Sequence, residues 1–141
     1  MFQGGHSYHI DEKGRLKLPA DFASALGSSF TITRGHNGCL WVIPDEEWRS
    51  IVARLQGDTL VDQRLLALRR YFIGSAVTTS LDGQGRLTIP PLLRDLVEIQ
   101  HEVMAVGIGS RIELWSRERW EAYEARLSDE LIEELARSAG L

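Results

Sequence analysis

The chain contains itself twice, and this repeat constrains its fold more than any other feature. Asp11-Glu-Lys-Gly-Arg15-Leu-Lys-Leu-Pro19 returns 71 residues later as Asp82-Gly-Gln-Gly-Arg86-Leu-Thr-Ile-Pro90. Asp, the second Gly of the later copy, Arg, Leu and Pro are identical, and Leu18 is answered by Ile89. After each proline an apolar pair follows at i, i+4: Phe22 and Leu26, then Leu93 and Val97. Farther on, Leu40-Trp41-Val42-Ile43-Pro44 leading to Trp48 resembles Ile112-Glu-Leu-Trp115-Ser116 leading to Trp120, with one residue of slippage.

Each copy reads in the same order. A short alternating segment (Ser7 to Ile10; Thr78 to Leu81) meets Asp-x-x-Gly, and a second one follows (Arg15 to Leu18; Arg86 to Ile89). Asp at the first and Gly at the fourth position signals a tight turn, so each pair of segments reads as a β-hairpin with Gly14 or Gly85 at φ > 0. Pro19 and Pro90 suit the first turn of a helix, where the missing N–H costs nothing. Two β-rich segments come next, Ser29 to Thr33 with Cys39 to Ile43, then Glu102 to Val106 with Arg111 to Trp115. Pro44-Asp-Glu-Glu and Ser116-Arg-Glu-Arg then open a second helix. The unit is β-β-α-β-β-α, and the fold class is α+β, rich in β.

Between the copies, Leu65, Leu66, Leu68, Tyr71 and Phe72 fall at helical spacing within Val61 to Ile73. The expected division is a first unit over 1–56, a helical connector over 57–74, a second unit over 75–127 and a helical tail over 128–141. From Arg117 to Arg137 the residues Trp120, Tyr123, Leu127, Leu131 and Leu135 make one apolar stripe, expected to pack on its own body or on a neighbouring subunit.

Composition narrows the function classes. No stretch approaches the ~20 apolar residues that span a bilayer, and the start of the chain has no signal-peptide pattern, so a cytoplasmic protein is expected. Cys39 is the single cysteine, and His6, His9, His36 and His101 form no HExxH or H-x3-5-H pair, so no metal or cofactor is expected. Drawing His9 with Asp11, or His36 with Cys39, as a catalytic pair leaves no orienting third group. No catalytic residues are assigned. The net charge of −4 is uneven: residues 1–110 carry 11 basic against 12 acidic side chains, and residues 111–141 carry 5 against 8. A local basic face is compatible with that balance. Cys39 reads as a small core residue and the four tryptophans, Trp41, Trp48, Trp115 and Trp120, as anchors for the second helix of each unit.

The hairpin tips stand apart. Asp and Arg across a tight turn can merely pair with each other, but a fold needs Gly and Pro at these places and does not need Arg twice. The paired D-x-x-x-R hairpins, each followed by L-x-[LI]-P, resemble the AbrB-like swapped-hairpin (SpoVT-AbrB) superfamily. The tandem arrangement, the opening Met-Phe-x-Gly, Thr33-Arg34-Gly35 with Gly38-Cys39-Leu40, and Trp115-Ser-x-Glu-x-Trp120 resemble the MraZ family within it. The resemblance covers about residues 1 to 127.

That resemblance implies two interleaved units forming a pseudo-dimeric double-split β-barrel with peripheral helices, and chains assembled as homo-oligomeric rings. It implies a repressor of the division and cell wall gene cluster, associated with the nucleoid and acting on repeated boxes in double-stranded DNA upstream of its own gene. The family's motif falls on Asp11 and Arg15, and on Asp82 and Arg86; the second copy has Gln84 where the first has Lys13. Arg15 and Arg86 are expected to contact DNA, since a guanidinium fork suits phosphate oxygens or guanine O6/N7. Lys13 and Lys17 are expected on phosphates, with Asp11, Asp82, Gly14 and Gly85 positioning the turns. The alternative is an oligomeric scaffold or antitoxin-like module whose hairpins bind protein.

Overall fold

A computed structural model of the chain describes residues 1–58 and 60–141; Thr59, inside the expected connector, lies outside the described residues. The first repeat supplies β1 (Phe2–His9), β2 (Arg15–Lys17), α1 (Ala20–Leu26), β3 (Phe30–Arg34), β4 (Leu40–Pro44) and α2 (Asp45–Arg54). A connecting helix, α3 (Gln63–Phe72), leads to β5 (Val77–Thr79), β6 (Arg86–Thr88), α4 (Pro91–Leu96), β7 (Glu102–Gly109), β8 (Ile112–Ser116) and α5 (Arg117–Ala125). A last helix, α6 (Asp129–Ser138), ends the chain. The order expected within each unit holds, and the molecule is mixed α+β and rich in strands.

The two repeats exchange strands. One antiparallel sheet runs β1-β7-β8-β4-β3-β5, so β1 of the first repeat lies on β7 of the second and β5 of the second lies on β3 of the first. At its centre β4 pairs with β8, where Trp41 faces Glu113. A second ladder joins β2 to β6, with Leu16 opposite Leu87. β1 and β5 remain edges, so among the described residues the six-stranded sheet does not close into a barrel, which corrects the double-split β-barrel of the expectation. The two expected hairpins do not pair within themselves: the tight Asp-x-x-Gly turn instead passes each repeat from the large sheet (β1, β5) to the small one (β2, β6).

Period-2 alternation sorts the side chains into two cores. Val42, Ile112 and Leu114 face one side with Phe30, Ile32, Val103 and Ala105, where α1 (Phe22, Leu26), α4 (Leu93) and the Leu16–Leu87 rung close over them. Trp41, Ile43 and Trp115 face the other, where α2 (Ile51), α3 (Phe72) and α5 (Trp120, Tyr123) cover them. Each fully buried side chain of this size stabilises the fold by about 1.5–3 kcal/mol. Trp115 packs edge-on to Trp120 at 5.4 Å, consistent with tryptophans anchoring the second helix of the unit.

Three local readings need correction. β1 starts at Phe2 and not at Ser7, because all eight of its residues find partners on β7. Pro19 and Pro90 sit one residue ahead of their helices, at the N-cap. The single stripe from Arg117 to Arg137 is two helices, because the Ser128 hydroxyl accepts from the Leu131 N–H and starts a new one.

Candidate functional site

The two Asp-x-x-x-Arg turns are built alike. Asp11 Oδ1 accepts from the backbone N–H of Lys13 at 3.0 Å and of Arg15 at 2.9 Å, while Oδ2 accepts from Arg15 Nε at 2.6 Å. Asp82 does the same with Gln84 N–H (2.9 Å), Arg86 N–H (2.9 Å) and Arg86 Nε (2.8 Å). A carboxylate is the one side chain that can accept all three at once, which is why Asp heads both turns. Those bonds, first of all the one from the Arg15 backbone N–H, hold the Asp11 carboxyl below its ordinary range. The Arg86 backbone N–H does the same for Asp82. Gly14 and Gly85 both take φ of 74°, where a side chain is strained.

The ion pairs use Nε, and among the described residues no hydrogen bond engages the terminal amino groups of either arginine. Each guanidinium is therefore held by its inner nitrogen with its outer edge available. Alternation in the β2–β6 ladder turns Leu16 and Leu87 into the core, which leaves Arg15, Lys17, Arg86 and Thr88 on the other face. The ladder is antiparallel, so one turn lies at each end of this face. Lys17 sits directly opposite Arg86 in register. Like charges facing across a ladder destabilise it; the Asp82 carboxylate balances Arg86 at 2.8 Å, and among the described residues Lys17 forms no ion pair.

Arg94 of α4 belongs to the same cluster and was not legible in the repeat. A Cβ built on Gly14 would lie 2.8 Å from Arg94 Nη1, which places that guanidinium against the first turn. Near Gly85 nothing lies within 4 Å. The position matching Arg94 in the first copy is Ala23, so comparison of the copies gives no hint of it. Together the ladder, its two turns and Arg94 beside the first turn carry Lys13, Arg15, Lys17, Arg86 and Arg94 against Asp11, Glu12 and Asp82, five basic groups to three acidic ones.

The other residues considered for chemistry lie elsewhere. Cys39 is buried, donates to the His36 carbonyl at 3.2 Å, and has its thiol pushed up by burial and by Glu113, which keeps it protonated. The His36 ring packs on Trp41 at 4.8 Å. His9 is an exposed residue of β1. Among the described residues no three His, Cys, Asp or Glu side chains are grouped to hold a metal ion, and no helix is long and apolar enough to cross a membrane.

Comparison with known proteins gives one family for both halves of the chain. A family model described as "MraZ protein, putative antitoxin-like" matches residues 1–68 and 72–140. A protein of Ligilactobacillus salivarius named transcriptional regulator MraZ is 42% identical over 123 residues, 87% of this chain and 86% of the relative. One of the same name from Thermoanaerobacter sp. is 39% identical over 136 residues, 96% and 94% of the two chains. Another from Clostridium tetani is 37% identical over 142 residues and spans both chains fully.

Proposed function

The chain belongs to the MraZ family, and from that premise we propose that it is a DNA-binding transcriptional regulator whose reading head is the β2–β6 face with its two Asp-x-x-x-Arg turns. The observation that carries this is a single ladder face that presents Lys17 with two arginines, Arg15 and Arg86, each fixed to the Asp of its own turn by its inner nitrogen. A two-stranded ribbon of this kind fits the major groove of B-DNA. Arg15 and Arg86 then approach phosphate oxygens or guanine edges, Lys13, Lys17 and Arg94 neutralise phosphates, and Asp11 and Asp82 set the orientation of the two arginines. The exchange of strands between repeats supports reading the chain as a pseudo-dimer, in which each half supplies one turn.

The proposal extends to target and assembly. The target is repeated boxes in the promoter upstream of the chain's own gene, where binding represses the division and cell wall cluster in the cytoplasm, on the nucleoid. One face has a small surplus of charge, and each phosphate contact releases about one counterion. Several faces joined in a homo-oligomer gain about 10²- to 10⁴-fold in avidity through intramolecular rebinding. A mobility-shift assay with the upstream DNA tests the reading: a shift at low salt that weakens as salt rises is expected, and no shift at low salt would overturn it. The net charge of −4 and the antitoxin-like description of the family favour a second reading, a module whose hairpins bind protein. The same assay separates the two.

A further inference from the structure

α6 carries an apolar stripe that its own chain leaves uncovered. None of its residues is buried, and Ile132 and Leu135 are 46% and 51% exposed. By helical spacing Leu131, Ile132, Leu135, Ala136 and Ala139 share one face. Asp129 and Glu133 border it on one side and Glu134 on the other, and the helix holds four acidic residues to one basic, Arg137.

On the outer face of the sheet lies a slot with the opposite character. Its floor is Trp41 stacked on Phe72 at 5.3 Å with planes 9° apart, its walls are Ile51 of α2 and Leu55 just beyond that helix, and the His36 ring closes one side, 4.8 Å from Trp41 and 5.8 Å from Phe72. Arg54 and Arg111 stand over it, and none of the residues lining it is acidic. The Arg111 guanidinium lies 4.1 Å over the Trp41 ring, and its buried Nε has no hydrogen-bond partner. Arg54 donates to Ser50 Oγ, and among the described residues neither arginine forms an ion pair. A buried donor left unmatched is costly and calls for an acceptor. At about 240 Å³ the slot is smaller than the ~300–1,000 Å³ of usual small-molecule sites. It is about the size of two aliphatic side chains.

We propose that α6 of one copy docks in this slot of the next, with Ile132 and Leu135 on the Trp41–Phe72 floor and the bordering carboxylates on Arg54 and Arg111. The inference rests on the oligomer reading above and names the surfaces that make it. An amphipathic helix laid in an apolar groove is a common recognition mode, and here the charges at its borders are complementary. The two surfaces are different patches of one chain, so the contact is head-to-tail. Such contacts close into rings when the rotation between copies allows it.

Light scattering behind size exclusion tests the contact on the full chain. Ile132→Asp/Leu135→Asp spoils the helix, and Arg54→Glu/Arg111→Glu spoils the slot. Each variant alone is expected at the mass of one chain. Their equimolar mixture is expected to form a 1:1 dimer and nothing larger, because each pair holds one sound helix and one sound slot. Circular dichroism checks folding; if the Arg111 change unfolds the chain, Arg54→Glu alone, on the exposed face of α2, takes its place. Either folded variant keeping the wild-type mass, or a mixture of folded variants that does not pair, overturns the proposal while leaving the hairpin reading intact. A slot variant that keeps its mass and loses DNA affinity also overturns it, making the slot a nucleic-acid contact. A wild-type chain that is monomeric at tens of micromolar overturns it together with the oligomer reading, whereas loss of DNA binding in hairpin variants of wild-type mass does not touch it.

Discussion

The helices that follow the two repeats, α3 and α6, occupy matching places in the chain and behave differently. α3 returns to the sheet: Phe72 stacks on Trp41, Tyr71 donates its hydroxyl to the Gly35 carbonyl at 2.6 Å, and Thr33 Oγ1 donates to the Phe72 carbonyl at 2.6 Å. α6 has no buried residue. The difference lies in residues outside the repeated motif. α3 ends in two aromatics over a strand whose outward Thr31 and Thr33 can hydrogen-bond, whereas α6 ends in Arg137 and Ser138, and the matching positions of β7 are Met104 and Val106. The hairpins differ in the same way. Their shared Asp, Gly and Arg give one turn geometry twice, and the neighbours differ: Glu12, Lys13 and Arg94 flank the first tip, whereas Lys17 faces Arg86 beside the second. Repetition dictates the sheets and turns; the residues that are not repeated decide what docks and what binds.

This contrast between halves can be broken by measurement. The largest effect is expected from Phe72→Ala, which removes a buried ring from the α3 side and should cost about 3–5 kcal/mol in urea unfolding. Leu135→Ala on α6 should stay within about 0.5 kcal/mol at concentrations dilute enough to hold the chain monomeric. Equal costs would mean that α6 is as firmly packed as α3.

The turns should separate next. Gly85→Ala meets open space and incurs only the strain of positive φ, about 1 kcal/mol. Gly14→Ala adds contacts with Arg94 and with the Ile89 carbonyl at 3.3 Å, and should cost about 2 kcal/mol by the same assay. If the two variants melt together, the Arg94 flank contributes nothing. A smaller effect is expected in DNA binding from Lys13→Gln, which gives the first tip the residue of the second. It should lower affinity a few-fold and reduce the slope of log affinity against log salt by about one, and Gln84→Lys should do the reverse.

The smallest effect concerns pH and should be the same in both halves. Asp11 and Asp82 titrate below the ordinary carboxylate range, held there by the Arg15 and Arg86 backbone N–H groups. A lowered folded value contributes stability above that range and loses it as pH falls through the folded values. Asp11→Asn/Asp82→Asn should therefore lose less melting temperature than wild type between about pH 5 and pH 2. An unchanged acid slope would show that the carboxylates do not tie the turns.

Much of this was legible in the sequence, for identifiable reasons. Asp-x-x-Gly turns and period-2 strands are local signals, so both turns and the order of the strands stand where the repeat puts them, although the strands that flank each turn pair elsewhere and not with each other. Strand exchange is not local: nothing in residues 2–9 names β7 as their partner, and Gly4 and Gly5 hide the strand because they break its alternation. The break between α5 and α6 is signalled by Leu-Ser-Asp-Glu, but an apolar stripe of three-to-four spacing runs across it and masks the cap. Within the site, each Asp meets the Arg of its own turn, one turn at each end of the ladder. Arg94 escaped because its place beside Gly14 depends on how α4 packs, and the Arg111 slot because α2, α3, β4 and β8 meet only in the folded chain.

The central claim is that the two tips form one DNA-binding face. A fluorescence-anisotropy titration of labelled upstream DNA at fixed salt, with wild type, Arg15→Ala, Arg86→Ala and the double variant, tests it most directly. Each contact should be worth about 1–3 kcal/mol. Arg15→Ala is expected to weaken binding more than Arg86→Ala. The double variant is expected to lose at least about 100-fold while keeping a cooperative melting transition. A folded double variant that binds within about twofold of wild type would contradict the account.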